Sequence, residues 1–482
     1  MADPLSPISG NVHFVFQMHG NSRQVVFSVV VSRKRQGAAL GKRPIAIDLF
    51  SGAGGMSLGF EQAGFDVVAA VEIDPIHAAV HKFNFPDCAV LPQSVTTLTG
   101  DAIRQAAGIG ARAVDVVCGG APCQGFSLIG KRAIDDPRNA LVRDFLRLVR
   151  ELDARAFVFE NVKGLTLGKH RRFLEELIGE FSKAGYDVRV DPKVLNAVNF
   201  GVPQSRERLF LMGVKCGETL PSYPRPLTCR PDRKGDEPLK SSPTCQDALG
   251  DLPEAEDYSG LLFSDEVAKA VWGVPSAYAK EMRCLSNDAW HHGSPRKWDA
   301  SLLTSSMRTD HTDISRRRFS ETSPGSVEPI SRFFRLAADG VSNTLRAGTD
   351  ASRGAFTSPR PVHYGKARCI TVREMARLHG FPDWFRFHET KWHGARQIGN
   401  AVPPPLARAV AAQVLTALGY TATKPSKTVD LGDVSLLRMD MGQAARHWGV
   451  ATPIGKRDRK SGAVKRRQVD IEVKRLNAMA AE

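Results

Sequence analysis

Apolar and polar positions alternate in two rhythms along this chain, and the change between them sets its organisation. From Ile45 to about Val214, short apolar runs of strand length alternate with helical patterns. Ile45 to Phe50 reads as a strand that enters the glycine turn Ser51-Gly52-Ala53-Gly54-Gly55. Met56 to Ala63 reads as a helix stopped by Gly64. Val67 to Ile73, Val114 to Cys118, Ala156 to Phe159 and Leu209 to Val214 read as further strands. Leu141 to Leu152 and Arg171 to Ala184 read as helices. This βαβα rhythm predicts an α/β fold with a doubly wound, Rossmann-like sheet. Ligands bind such sheets beyond the carboxyl ends of the strands.

The rhythm stops near residue 216. Residues 220–345 are rich in Pro, Ser, Asp and Arg and show little periodicity, which predicts a second, smaller and irregular domain. Helical patterns return at Thr371 to His379 and from about Pro404 to Leu418. Before residue 44, two apolar runs, Val12 to Phe16 and Val25 to Val31, read as a β-hairpin that ends in the basic run Arg33-Lys34-Arg35. The predicted layout is therefore a basic extension (1–43), an α/β domain (44–218) and a smaller irregular domain (219–345). A return segment (346–420) and a basic tail (421–482) follow.

Charge sharpens this layout. The 482 residues carry a net +15, with six basic residues against one acidic in 1–43 and nine against four in 455–482. Basic flanks point to a polyanion, and nucleic acid comes first. No run approaches the ~20 apolar residues of a membrane helix. The start lacks the charged and apolar regions of a secretory signal. Eight cysteines without a Cys-x-x-Cys pair disfavour a disulfide scaffold and a zinc ribbon, so no metal is expected and a reducing cytoplasm fits.

Candidate chemistry falls at the strand ends. The turn at 51–55 lacks Gly-x-Gly-x-x-Gly spacing, so a pyrophosphate is not specifically indicated, and a carboxylate suffices as the anion at the helix start. The second strand ends at Glu72, placed to bond the hydroxyls of a ribose. A nucleoside bearing a carboxylate fits both features, and S-adenosylmethionine is one. After the third strand, Cys118 reads as a core thiol. Cys123 lies past the strand end in a Gly/Pro loop and reads as a nucleophile. Glu160 follows an apolar run at the same edge, where burial favours the neutral acid.

Five motifs then occur in order: 50–55 (Phe-Ser-Gly-Ala-Gly-Gly), Pro122-Cys123-Gln124, Glu160-Asn161-Val162, Gln204-Ser205-Arg206-Glu207-Arg208, and 397–402 (Gln-Ile-Gly-Asn-Ala-Val). Over about 45–215 and 340–415 the chain resembles the DNA cytosine-5 methyltransferases of prokaryotic restriction–modification systems. The resemblance implies methylation of cytosine carbon 5 in a specific duplex sequence, with S-adenosylmethionine as methyl donor. It makes Cys123 the thiolate that adds to carbon 6 and Glu160 the acid at ring nitrogen 3. Arg208 would contact the cytosine carbonyl, with Arg206 near the same site and the DNA backbone.

Phe50, Gly52, Gly54, Gly55, Glu72, Pro122, Leu141 and Asn400 match cofactor positions. Ile73 stands where many members carry an aromatic that stacks on adenine. Ser94 stands where many carry an acid, and offers a weaker acceptor. The target base must leave the duplex. Loop 124–138, with Gln124, Ser127, Lys131, Arg132 and Arg138, would close on the DNA, and Thr344 would lie near the flipped strand. Arg316 to Arg318 are expected either as phosphate contacts or as a solvated turn. The resemblance further implies a monomer on double-stranded DNA, accompanied functionally by a restriction endonuclease. Two alternatives are an RNA (tRNA) cytosine-5 methyltransferase and a non-catalytic DNA-binding regulator on the same fold.

Overall fold

The computed structural model describes residues 43–122, 139–167, 169–232, 239–348 and 359–452. The hairpin expected at the N-terminus, Cys123, loop 124–138 with Gln124, Ser127, Lys131, Arg132 and Arg138, and the chain beyond residue 452 lie outside these residues.

The first half builds the expected sheet. Strands β1 (Ile45–Leu49), β2 (Asp66–Val71), β3 (Ala89–Leu91), β4 (Val116–Gly119) and β5 (Ala156–Val162) alternate with helices α1 (Gly55–Ala63), α2 (Pro75–Asn84), α3 (Gly100–Ala106) and α4 (Ala140–Glu151). After α5 (Lys169–Lys183) come β6 (Tyr186–Val188), β7 (Lys193–Asn196) and β8 (Glu207–Lys215). The order is β3-β2-β1-β4-β5-β8-β6, with β7 also on β8. β1 to β5 pair in parallel, whereas β8 runs antiparallel to β5, β6 and β7. This reversal puts the start of β8 at the same edge as the carboxyl ends of β4 and β5.

Both faces of the sheet are covered, which is why its strands are apolar throughout rather than alternating. Ile45, Ile47, Val117, Phe157, Phe159, Leu209 and Leu211 face α4 and α5. Ala46, Val116, Cys118, Val158, Phe210 and Met212 face α1 and the late helix described below. The Phe157 ring stacks on Phe181 of α5 at 3.9 Å between centroids.

The later residues carry short helices: α6 (Cys245–Leu249), α7 (Ala277–Met282), α8 (Asp313–Glu321), α9 (Val372–His379), α10 (Lys391–Asn400), α11 (Pro404–Ala417) and α12 (Met441–Trp448). α11 packs on α1 and supplies Leu406, Val410 and Val414 to the sheet core. A separate apolar core joins α1 and α2 to α6, α7, α9 and α10 through Leu58, Val80, Phe83, Leu249, Met375 and Ile398. α12 packs on α2, an element that the pattern of residues 421–452 did not disclose.

Candidate active site

The turn after β1 is held in an unusual backbone conformation. Phe50 has φ 61°, Gly52 55° and Gly54 105°. A bulky side chain in the left-handed region costs on the order of 1–3 kcal/mol, and Phe50 recovers part of it by packing its half-buried ring on the α4-side core. Gly54 caps α1, and a Cβ there would lie 2.5 Å from the Phe85 ring, so glycine is required by space as well as by φ. Around Gly52, by contrast, an added Cβ would meet nothing within 4 Å.

Glu72 closes this turn. One of its carboxylate oxygens accepts from the Gly52 N–H and the other from the Asp74 N–H, each at 2.8 Å. Burial raises its pKa, with His77 opposing. Asp74 then caps α2 by accepting from Ile76 N. Next to Glu72, Ile73 is 54% exposed and offers an apolar surface. Ser94 bonds locally: its hydroxyl lies 2.8 Å from that of Thr96 and accepts from the Thr96 N–H. Pro122 is exposed after β4, Leu141 packs half-buried on the core from the first turn of α4, and Asn400 is exposed as the last residue of α10.

The reactive edge lies across β4, β5 and β8. Glu160 sits within β5, which runs three residues further than its apolar pattern, and pairs opposite Phe210. Arg208 Nε lies 2.9 Å from Glu160 Oε1, with the two side chains 14% and 12% exposed. A Cβ on Gly120 would lie 2.5 Å from Glu160 Oε2, so the glycine after β4 makes room for the carboxylate. Burial pushes the Glu160 carboxyl above its usual range, against the pull of Arg208 and Arg206. Asn161 donates to the Ala121 carbonyl at 3.0 Å and so fixes the loop leaving β4 against β5. Cys118 is buried, as expected, and burial raises its pKa.

Arg206 does not reach a DNA backbone, contrary to the expectation for it. It is fully buried and donates to three main-chain carbonyls: Leu345 at 2.9 Å, Gly399 at 2.7 Å and Ala401 at 2.9 Å. A strand-start arginine looks solvent-facing in sequence, but here carbonyls from two distant segments replace water. Gln204 extends the clamp by accepting from Leu345 N and lying 2.9 Å from His379 Nδ1. His379 Nε2 lies 3.1 Å from the Ala401 carbonyl, and burial keeps this imidazole neutral. Ser205 N donates to Ser342 O, and the exposed Thr344 donates its hydroxyl to Ser205 O at 2.8 Å. Segments 204–208, 342–345 and 399–401 thus meet in one buried seam.

Two of the three clustered arginines are held by acids. Arg316 pairs with Glu256 at 2.6 Å, and Arg318 pairs with the buried Glu328 through two contacts of 3.0 Å. Among the described residues no cluster of His, Cys, Asp or Glu can hold a metal.

Residues 45–416 match the family model of the C-5 cytosine-specific DNA methylases. The chain belongs to this family. It is 57% identical over 418 residues to the type II methyltransferase M.XorII of Xanthomonas oryzae pv. oryzae, a match covering 86% of this chain and 95% of that one. It is 36% identical over 376 residues to the type II methyltransferase M1.HphI of Haemophilus parahaemolyticus, covering 77% and 86%. A crystal structure described as a DNA modification methyltransferase encoded within a prophage (E. coli) aligns with a TM-score of 0.61 and 32% identity, over 78% of this chain and 99% of that one.

This DNA methylase uses S-adenosylmethionine to methylate carbon 5 of cytosine. The turn at 50–55 and Glu72 suit that donor: there is open space at Gly52, each Glu72 oxygen accepts one hydrogen bond among the described residues and has capacity for another, and Ile73 presents an apolar face. Sequence reasoning missed Asp48 as a supporting group. It is buried beneath the turn, where burial lifts its pKa to about 7, and accepts from the Ser57 hydroxyl at 2.6 Å. Its signal was a lone carboxylate inside the apolar run of β1.

Proposed function

We propose that the methylase acts on a cytosine flipped from a specific duplex sequence, with Cys123 as nucleophile and Glu160 as acid. The observation that carries this reading is the Glu160–Arg208 pair beside Gly120, at the end of the strand that leads to Cys123. A pyrimidine carbon 5 is not nucleophilic at rest. Addition of the Cys123 thiolate at carbon 6, with a proton from Glu160 at nitrogen 3, gives it enamine character. The raised pKa of Glu160 supports its holding that proton. Arg208 is shared between Glu160 and the cytosine carbonyl, where it opposes developing negative charge. Arg206 is a positioning residue, since its donors hold main chain rather than substrate.

Bound S-adenosylmethionine supplies the methyl group from its sulfonium. Glu72 is read as the holder of its ribose, and Gly52, Gly54 and Gly55 as the cradle of its carboxylate, with Phe50, Ile73, Ser94, Pro122, Leu141 and Asn400 around it. Loop 124–138, with Gln124, Ser127, Lys131, Arg132 and Arg138, closes on DNA. Residues 44–218 form the catalytic part and 219–345 the sequence reader, with 346–420 completing both. The protein works as a cytoplasmic monomer and as the modification partner of a restriction endonuclease. Its relatives named as type II methyltransferases support that pairing. Among the described residues no helix is long and apolar enough to cross a membrane.

Duplex DNA carrying 5-fluorocytosine tests the mechanism, because that base blocks release of the enzyme. Wild type forms an adduct stable to denaturation, and Cys123→Ser forms none. An equal adduct with Cys123→Ser overturns the nucleophile assignment. Labelled methyl transfer to tRNA rather than plasmid DNA overturns the substrate.

A further inference from the structure

Arg332 is one of seven residues other than glycine with a positive φ among those described, at 60°. It stands at the tip of a tight turn. Val327 and Phe334 form an antiparallel bridge below it, Glu328 N donates to Phe333 O at 2.8 Å, and Arg332 N donates to Glu328 O at 2.9 Å. The buried Glu328 organises the turn from inside, accepting from Arg318, Ile330 N and Ser331 N.

The Arg332 side chain is exposed and makes no hydrogen bond or ion pair with the described residues, whereas Arg316, Arg318 and Arg335 nearby are all engaged. Arg332 lines a crevice with Asn343, Thr344 and Arg346. Thr344 bonds Ser205, three residues before the arginine that pairs with Glu160. The turn therefore displays a guanidinium without a partner among the described residues, beside the edge assigned to the target base.

A phosphate contact needs charge near a backbone and tolerates a flexible stem. A base edge needs a planar fork at a fixed angle. A strained backbone locked by a buried carboxylate provides the second and is superfluous for the first. We propose that Arg332 is a specificity-determining residue that reads a guanine in the major groove close to the flipped cytosine. This assignment rests on the proposed function, in which that face receives DNA.

The test measures kcat/KM for methylation of a duplex bearing the wild-type site and of every single-base-pair variant of it, using wild type, Arg332→Ala, Arg332→Lys and Arg332→Gly. At one G·C position the three substitutions are expected to cut discrimination tenfold or more, with other positions within about twofold. Arg332→Lys fails with the others because an ammonium lacks the fork. Arg332→Gly relieves the left-handed backbone, so its thermal midpoint equals or exceeds that of wild type and misfolding is ruled out as the cause.

Unchanged discrimination at every position overturns the assignment. So does a uniform loss across all sequences with a weaker salt dependence, which marks a phosphate contact. If wild type itself makes no 5-methylcytosine in any DNA, the proposed function fails first, and that result is distinct from either of these.

Discussion

Residues 43–215 and residues 239–452 are held together by different physics. The sheet half buries Ile, Val, Leu and Phe on both faces. The later half also has an apolar core, but buried arginines tie its irregular segments together. Arg368 joins Glu254 at 2.7 Å to Glu374 at 2.9 Å, and Arg377 joins Asp251 at 3.1 Å to Asp383 at 2.6 Å. Apolar burial is non-directional and works where strands already fix the register. Segments without ladders lack that register, and a planar guanidinium with five donors supplies it. The buried seam through Arg206 and Gln204 extends the same device to the edge of the sheet, so the active edge is where the two kinds of packing meet.

The largest expected effect strikes that meeting point. Glu160→Gln keeps the shape beside Gly120 but removes the proton. The methylation rate should fall by about 10²–10⁴-fold, with DNA affinity changed only slightly. Single-turnover rates and equilibrium binding check this, and equal losses in both count against the acid role.

Next in size is the contrast in tolerance between the halves. Arg377→Lys keeps the charge but not the fork, and leaves Asp251 and Asp383 poorly paired in a buried site. Complete loss of one partner from such a network costs about 3–5 kcal/mol, so the lysine variant should lose a large part of that. Leu211→Met, equally buried on β8, conserves volume and should cost less than about 1.5 kcal/mol. Urea unfolding ranks the two. If Leu211→Met is the more damaging, directional pairing is not what secures the later half.

The same contrast explains what the sequence disclosed. β1, β4, β5 and β8 were legible because strands covered on both faces read as apolar runs. β3, β6 and β7, of three or four residues, were too short to register, and pattern carries no strand direction, so the reversal of β8 was invisible. At the site, glycines, Glu72 and Glu160 stood out because each broke an apolar rhythm at a strand end. Arg206 and Arg318 were misjudged for one reason: residue type cannot tell a charge solvated by water from one solvated by main-chain carbonyls or a buried acid. The seam that joins Gln204, Leu345, His379 and Ala401 depends on contacts across as many as 175 positions of sequence, beyond any local pattern.

The smallest effect separates the halves by sign. Burial lifts the Asp48 carboxyl from 3.8 to about 7. Between those values the folded protein keeps a proton that the unfolded chain releases, so this group removes stability as pH rises from about 4 to about 7. Asp48→Asn, whose amide oxygen still accepts from Ser57, should flatten that decline. Burial also opposes ionisation of Glu374, but Arg368 outweighs it and brings the carboxyl from 4.5 to about 2. Its contribution is complete above about pH 4.5 and is lost as pH falls toward 2, because the unfolded chain then binds the proton more tightly. Glu374→Gln should flatten that acid limb while lowering stability near neutrality. A single group changes stability by at most about 1.4 kcal/mol per pH unit, so urea midpoints for both variants are compared with wild type across pH 3 to 8. If Asp48→Asn steepens the decline from pH 4 to 7, or if Glu374→Gln leaves the acid limb unchanged, the opposition between a charge stranded under the sheet and a charge secured by arginine is wrong.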